Sequence, residues 1–347
     1  DKELNKMVAI KMIKNVFNNG APYRMLREIK IMRFLRPHPN IVELIDVFVG
    51  TGEREYCLNN FKELYIVMGL MQDGDLKVFL NSLHKKKKAI NLDFVKTIMY
   101  QLLNGMQYMQ SFGVLHRDMK PANVLLSYQG DNVNVRISDF GLSNIESDNP
   151  GKNSKSLYVI TRYYRPPEVI LQYNVQSSSI DSWGLGCIMA ELLYMLPPKP
   201  MRRPFEHLNL ITSLLGKAKP EDIMGSDGCR DWYAQQFIDH AEEGISFDLV
   251  FPSASKEALD LLHQFLQWNP EKRISFSQAL NHVFFKDVIV NSPVSVNNQQ
   301  SYMIGNSPSS NNSGKAIAFN FEKEGNVNTM KFLYYHEMCR TARTTHH

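Results

Sequence analysis

His116-Arg117-Asp118-Met119-Lys120-Pro121-Ala122-Asn123, read together with Asp139-Phe140-Gly141, decides the fold and points to the chemistry. A carboxylate, an ammonium and an amide stand within the one run, and a second carboxylate follows a short hairpin later. Phosphoryl transfer needs this set: an Asp to position the attacking hydroxyl and take its proton, a Lys to offset charge on the moving group, and an Asn and a second Asp to hold Mg²⁺ on nucleotide phosphates. Either triplet alone, His-Arg-Asp or Asp-Phe-Gly, arises readily in a surface turn. The order of motifs removes that reading. Val8-Ala9-Ile10-Lys11 comes first, as a strand that puts Lys11 on one face. Arg27-Glu28-Ile29 follows in a helical pattern. After the catalytic run come Pro166-Pro167-Glu168, Asp181-Ser182-Trp183-Gly184 and Asn269-Pro270-Glu271-Lys272-Arg273-Ile274.

In this order the motifs resemble those of the eukaryotic protein kinases over nearly the whole chain. The narrower resemblance is to the mitogen-activated protein kinases. Three stretches carry it: Met25 to Ile31, Tyr158-Val159-Ile160-Thr161-Arg162-Tyr163-Tyr164-Arg165, and a tail from Ala318-Phe319-Asn320-Phe321-Glu322 through Lys331-Phe332-Leu333-Tyr334-Tyr335-His336-Glu337. In that family a similar tail packs back along the catalytic domain. Cyclin-dependent kinases resemble the middle of the chain almost as well but usually stop before such a tail. The resemblance implies an α+β, bilobal fold, with a small β-rich N-lobe (about 1–67), a hinge (about 68–75) and a mainly helical C-lobe (about 76–290). A polar stretch at 291–315 reads as a flexible loop, and 316–347 as a C-terminal extension.

The resemblance also implies roles. Asp118 is the catalytic base, Lys120 steadies the transferring phosphoryl, and Asn123 and Asp139 hold Mg²⁺. Lys11 pairs with Glu28 and touches the ATP α- and β-phosphates. A Lys on a strand of Val, Ala and Ile would be costly to bury unpaired, so a partner carboxylate is expected independently. Met68 falls at the gatekeeper, Gly69 carbonyl and Met71 amide at the adenine edge, and Ala9 and Leu125 around the ring. Asp73-Gly74-Asp75 fits the pattern more loosely, and no ribose contact is assigned. Glu168 and Arg273 form a structural ion pair, and Asp181 braces the catalytic-loop backbone. The family's doubly phosphorylated Thr-x-Tyr is here Ser156-Leu157-Tyr158. Arg27 and Arg117 match arginines that clamp the first phosphate, Arg162 and Arg165 those that receive the phosphotyrosine, and Asn144 stands where a further Arg is frequent.

Composition sets the remaining bounds. The chain has 347 residues, 44% hydrophobic, enough for a large core in more than one lobe. A net charge of +4 is too mild to argue for nucleic acid. The run Lys85 to Lys88 reads as a solvated turn or, more sharply, as a docking surface for acidic partners. Only Asp287 stands where many relatives carry an acidic docking patch. Cys57, Cys187, Cys229 and Cys339 are widely spaced, which suggests a reducing compartment and no disulfide framework. No membrane segment is visible: the apolar helix around Ile180 to Leu196 carries Asp181 and Glu191 and reads as core. The resemblance implies work in the cytoplasm and nucleus.

The chain opens at Asp1, almost on the Lys11 strand, with no Gly-x-Gly-x-x-Gly, and reads as an N-terminally truncated fragment expected to bind ATP weakly. Gly50-Thr51-Gly52 reads as a hairpin loop instead. Phe94, Val95, Ile98, Met99, Leu102, Leu103 and Met106 recur at helical spacing, with Asn91 or Asp93 at the N-cap and Gly113 after the end. Ile41 to Val49 and Leu64 to Val67 read as strands.

Three readings follow. The first is a serine/threonine kinase acting on Ser/Thr-Pro sites of proteins, switched by an upstream kinase and phosphatases. The second is a catalytically impaired kinase-fold scaffold, and the third a small-molecule kinase. Intact Lys11, Asp118, Asn123 and Asp139 favour the first.

Overall fold

A computed structural model describes residues 5–17, 21–35, 37–50, 61–86, 88, 90–145, 161–173, 177–194, 204–291, 330–334 and 336–338. The chain divides into two compact units. The first takes residues 1–37, 42–70 and 285–347, the second 38–41 and 71–284.

The first unit is built on β1 (Val8–Lys14), α1 (Ala21–Phe34), β2 (Leu44–Gly50) and β3 (Glu63–Gly69). The strands are antiparallel in the order β1-β3-β2, with Lys11 opposite Ile66 and Val47 opposite the same residue. Side chains alternate across a strand, so one face gathers Val47, Val49, Leu64 and Ile66 against Leu26 and Ile29 of α1. Val16 and Phe61 complete the core, together with Met330 and Tyr334 from the helical turn at 330–334. The opposite face leaves Ile10 and Met12 exposed, and Phe48 stacks on Tyr65 at 4.8 Å.

The strand expected over Ile41 to Val49 begins instead at Leu44. Ile41 makes an isolated parallel bridge to Ile137 within the second unit. The pairing register slips between Leu44 and Asp46, where the Asp46 carboxylate accepts the Val47 N–H at 2.7 Å. A local side chain thus takes the place of a ladder partner, which apolar alternation cannot reveal. β2 and β3 pair to their ends, Gly50 opposite Glu63, as a hairpin requires; residues 51–60 lie outside the described set.

In the second unit, α2 (Leu76–Lys86) and α3 (Leu92–Ser111) precede the short pair β4 (Val114–Leu115) and β7 (Asn144–Ile145) and the hairpin β5 (Val124–Gln129)–β6 (Asn132–Ile137). Asn91 caps α3, accepting the Asp93 N–H at 3.0 Å, and Gly113 follows its end at φ +66°. Val95, Ile98, Met99, Leu102, Leu103 and Met106 are buried. Lys85 and Lys86 lie exposed in the last turn of α2, where cations favour the helix dipole. Beyond lie α4 (Pro167–Ile170), α5 (Ser179–Tyr194), α6 (Pro204–Leu215), α7 (Asp227–Gln236), α8 (Phe247–Val250), α9 (Lys256–Phe265) and α10 (Phe276–Leu280); α11 (Lys286–Asn291) belongs to the first unit. α5 is apolar nearly all round and is mostly buried, with Tyr194 exposed at its end. Among the described residues, no helix is long and apolar enough to cross a membrane. Cys187 and Cys229 are free thiols; Cys57 and Cys339, like 292–329, lie outside the described residues.

Candidate active site

The site residues fall in both units, and each half has its own geometry. In the first unit, β1 alternation turns Lys11 to the α1 side. Its Nζ meets Glu28 Oε1 at 2.8 Å and Oε2 at 2.9 Å. The Glu28 side chain is 1% exposed and that of Lys11 35%. The carboxylate is thus sealed in while the ammonium keeps a wet side. A buried carboxylate without a cation would be strongly unfavourable, so the pair fixes α1 against the sheet. Ala9 and Met68 are cross-strand neighbours, both half-buried, and the Gly69 N–H donates to Glu43 O at 3.0 Å. Arg27, the residue before Glu28, is buried.

In the second unit, Asp181 at the start of α5 organises the catalytic run. Its carboxylate accepts the N–H of His116 and of Arg117, both at 2.7 Å. Burial pushes its carboxyl up, while His116 and Arg117 and their backbone donors pull it down. Arg117 sits at φ +64°, a strained setting for a residue that carries a Cβ, and its Nε donates to Leu142 O at 2.7 Å. The His116 ring is fully buried. Its Nδ1 accepts the Asp118 N–H at 3.2 Å, and its Nε2 donates to Ser138 O at 3.0 Å. Gly184 of α5 lets the run approach: an added Cβ there would stand 2.8 Å from Met119 Cβ. Asp181 thus holds the run by a pair of backbone hydrogen bonds.

Asp118 itself is buried and closely held. Lys120 Nζ pairs with Oδ2, and Thr161 donates to Oδ1 from its hydroxyl at 2.7 Å and from its N–H at 3.2 Å. Lys120 Nζ also donates to the same Thr161 hydroxyl at 2.8 Å. Asn123 Nδ2 donates to Asp118 O at 2.8 Å and to Oδ2 at 3.2 Å, so its Oδ1 is left as acceptor. Asp139 lies exposed at φ +65°, while the next residue, Phe140, is fully buried edge-on to His116 at 5.5 Å. The buried Phe pins the backbone and turns the carboxylate outward. An amide oxygen and an outward carboxylate are hard oxygen donors of the kind Mg²⁺ takes alongside phosphate oxygens. Among the described residues there is no cluster of three or more His, Cys, Asp or Glu that would hold a metal unaided.

Around this centre, Met71 and Leu125 are half-buried, and Leu125 bridges to Asp75. Asp73-Gly74-Asp75 is a turn fastened to β5. The Asp73 carboxylate takes the Tyr128 N–H at 2.7 Å, Gly74 at φ +79° accepts the Leu126 N–H at 2.8 Å, and the Asp75 carboxylate takes the Val78 N–H at 2.9 Å. Glu168 and Arg273 form a two-pronged pair at 2.7 and 2.6 Å. Arg162 is exposed and Arg165 buried; Asn144 lies in β7 opposite Leu115. Ser156 and Tyr158 lie outside the described residues.

Two partners carry no distinct sequence signal of their role. Thr161, in sequence one residue of the Tyr158–Arg165 stretch, is hydrogen-bonded to both Asp118 and Lys120, and its place just upstream of Arg162 is the one pointer to it. Glu191, in sequence a polar interruption of an apolar helix, is half-buried with the Tyr164 hydroxyl as its hydrogen-bond partner, and desolvation lifts its carboxyl to about 7.

Comparison with known proteins agrees with this geometry. The protein kinase domain model matches residues 1–285. The chain is 38% identical over 287 residues to mitogen-activated protein kinase 2 of Arabidopsis thaliana, covering 82% of this chain and 71% of that one. It is 38% identical over 288 residues to mitogen-activated protein kinase homolog NTF3 of Nicotiana tabacum, with 82% and 72% covered. Mitogen-activated protein kinase HOG1A of Wallemia ichthyophaga is 34% identical over 289 residues, with 82% and 71% covered. With the Asp118 network, the Lys11–Glu28 pair and a family model spanning most of the chain in agreement, the chain belongs to the protein kinase domain family, and its relatives here are mitogen-activated protein kinases.

Proposed function

We propose that the protein is a serine/threonine kinase of mitogen-activated type that moves the ATP γ-phosphoryl to Ser/Thr-Pro sites in proteins. The observation that carries this reading is the buried Asp118 carboxylate held between Lys120 and Thr161. In the proposed reaction the substrate hydroxyl oxygen forms the new P–O bond, the bond to the ADP oxygen breaks, and the hydroxyl proton passes to Asp118. Lys120 and Thr161 keep the carboxylate aimed, and Lys120 lies ready to neutralise charge on the moving group. Mg²⁺, bound through Asn123 Oδ1 and Asp139, would supply charge neutralisation on the phosphates. Lys11, oriented by Glu28, is assigned to the α- and β-phosphates, and Ala9, Met68, Gly69, Met71 and Leu125 to the adenine.

Proline preference is assigned to Arg165. In this reading Arg165 holds a loop carbonyl turned away from the substrate, so a residue other than Pro after the acceptor leaves its N–H unpaired. That costs roughly 1–3 kcal/mol, or about 5- to 150-fold in selectivity. Phosphates on Ser156 and Tyr158, added by an upstream kinase and removed by phosphatases, would pair with Arg27, Arg117, Arg162 and Arg165 and order the loop. With Asn144 in place of a further Arg, the Ser156 phosphate is assigned the weaker hold. The test is turnover of a positional peptide library by the wild type and Asp118→Asn. Enrichment of Pro after the acceptor and a loss of turnover by about three or more orders of magnitude are expected. Equal turnover by both proteins would sink the kinase reading, and a library without Pro enrichment would sink the specificity.

A further inference from the structure

We propose that Tyr334 and Glu337 form a two-point clasp on α1, and that Tyr334 is a positioning residue for Glu28. The inference rests on the reading of Lys11 and Glu28 as nucleotide-handling residues and adds the element that holds them.

The first point lies at the start of α1. The Tyr334 hydroxyl donates to Pro22 O at 2.6 Å. The Leu26 backbone stands close enough to the same oxygen to offset part of the upward shift that burial gives it. Pro22 and Leu26 are four residues apart, the acceptor and donor of a single helical turn. The phenol therefore ties the first turn of the helix to the tail through the Pro22 carbonyl. Its ring is fully buried, edge-on to Phe17 at 6.2 Å and to Phe61 at 5.9 Å, so the hydroxyl has little room to move. Burial, and next the negative charge of Glu28, push the phenol well above its usual range.

The second point lies at the end of α1. Glu337, 2% exposed, pairs with Arg33 in the last turn and lies 4.0 Å from Lys30. Glu28 falls between the two points along the helix. A register change at either end would move its carboxylate relative to Lys11 Nζ. Phe in place of Tyr334 keeps the aromatic packing and removes only the hydrogen bond to Pro22 O, so the first turn is no longer tied to the tail. The consequence should appear in ATP handling rather than in the chemical step.

The test is steady-state kinetics of the purified protein with ATP as the varied substrate, for Tyr334→Phe, Lys11→Met, Glu28→Gln and the Tyr334→Phe/Glu28→Gln double variant. For Tyr334→Phe, KM for ATP should rise about three- to tenfold while kcat at saturating ATP stays within about twofold. In the Glu28→Gln background the same change should have no further effect on KM. An unchanged KM in Tyr334→Phe, or an equal rise with and without Glu28, overturns the proposal. If Lys11→Met keeps wild-type kinetics, the nucleotide reading of the pair falls and the proposal with it. If Lys11→Met is inactive and Tyr334→Phe is wild type, the clasp alone is wrong. Should Tyr334→Phe fail to fold, Glu337→Gln leaves the aromatic packing intact and should raise KM for ATP in the same direction. No rise there is equally fatal.

Discussion

Lys11–Glu28 and Arg273–Glu168 are both cation–carboxylate pairs, one in each unit, and they are built to opposite ends. Arg273 is sealed: its side chain is 0% exposed and that of Glu168 1%. Both guanidinium nitrogens grip Glu168, Nε donates to Gln267 O at 3.0 Å, NH1 also donates to Ser179 O at 3.0 Å, and the plane lies 5.0 Å from the Trp183 ring. Every hydrogen-bonding direction of the fork is used within the protein. Lys11 grips an equally buried carboxylate but is itself 35% exposed. A point charge on a flexible stem can hold one carboxylate and still meet a second anion, whereas a planar fork with all its donors engaged cannot. The difference separates a pair that closes a structure from a pair that can also hold a ligand.

The largest expected effect tests the sealed pair. Arg273→Ala leaves Glu168 buried without its cation, and urea unfolding should show a loss of about 3–5 kcal/mol. A loss under about 1 kcal/mol would mean that water reaches Glu168 and that the two pairs do not differ as argued.

Glu191 is a half-buried carboxylate whose hydrogen-bond partner is the Tyr164 hydroxyl rather than a cation. Burial raises its carboxyl from 4.5 to about 7 in the folded protein. A raised folded value means stability that is fully present below about 4.5 and lost as pH climbs through about 7. Relative to Glu191→Gln, the wild type should therefore lose on the order of 3 kcal/mol across that window and nothing further above it. His38 and His207, both lowered by burial to about 4, tilt the absolute curves the other way but cancel in the difference. Parallel pH–stability curves for the two proteins would show that Glu191 stays ionised in the fold.

Exchanging the cations sharpens the contrast. Lys11→Arg keeps charge and pairing, so unfolding stability should hold within about 0.5 kcal/mol. A fork committed to Glu28 presents a different geometry to phosphates, and kcat/KM for ATP should fall about 100-fold, or ~2.7 kcal/mol. Arg273→Lys should do the reverse. It should cost about 1–2 kcal/mol of stability through the lost second prong and lost carbonyl contacts, with KM for ATP unchanged in the surviving folded protein. If both swaps move the same observable, the distinction fails.

Much of this was legible because the signals are local or ordered. Asn91 caps α3 as its side chain and position allow, and Asp181, Glu28 and Arg273 sit inside motifs whose resemblance to the protein kinases implied their partners. The signal failed where one side chain replaced a ladder partner, as Asp46 does at the start of β2. It failed again at Thr161, whose hydroxyl is ordinary in sequence and acquires meaning only from the 2.7 Å contact with Asp118. The contact of Tyr334 with Pro22 spans 312 positions, and no periodicity or turn chemistry reaches that far.

That same contact has a consequence for how the protein comes into being. Among the described residues, two of the ten buried in the first unit's core, Met330 and Tyr334, come in the chain after the whole of the second unit. Synthesis runs at ~5–20 residues per second, so the sheet and α1 wait on the order of tens of seconds for the residues that complete them. The second unit has its whole sequence in hand before then. The small unit should therefore be the last to mature, and a nascent or prematurely terminated chain should carry its catalytic run without a settled Glu28. Kinase competence would then be withheld until translation has reached the tail.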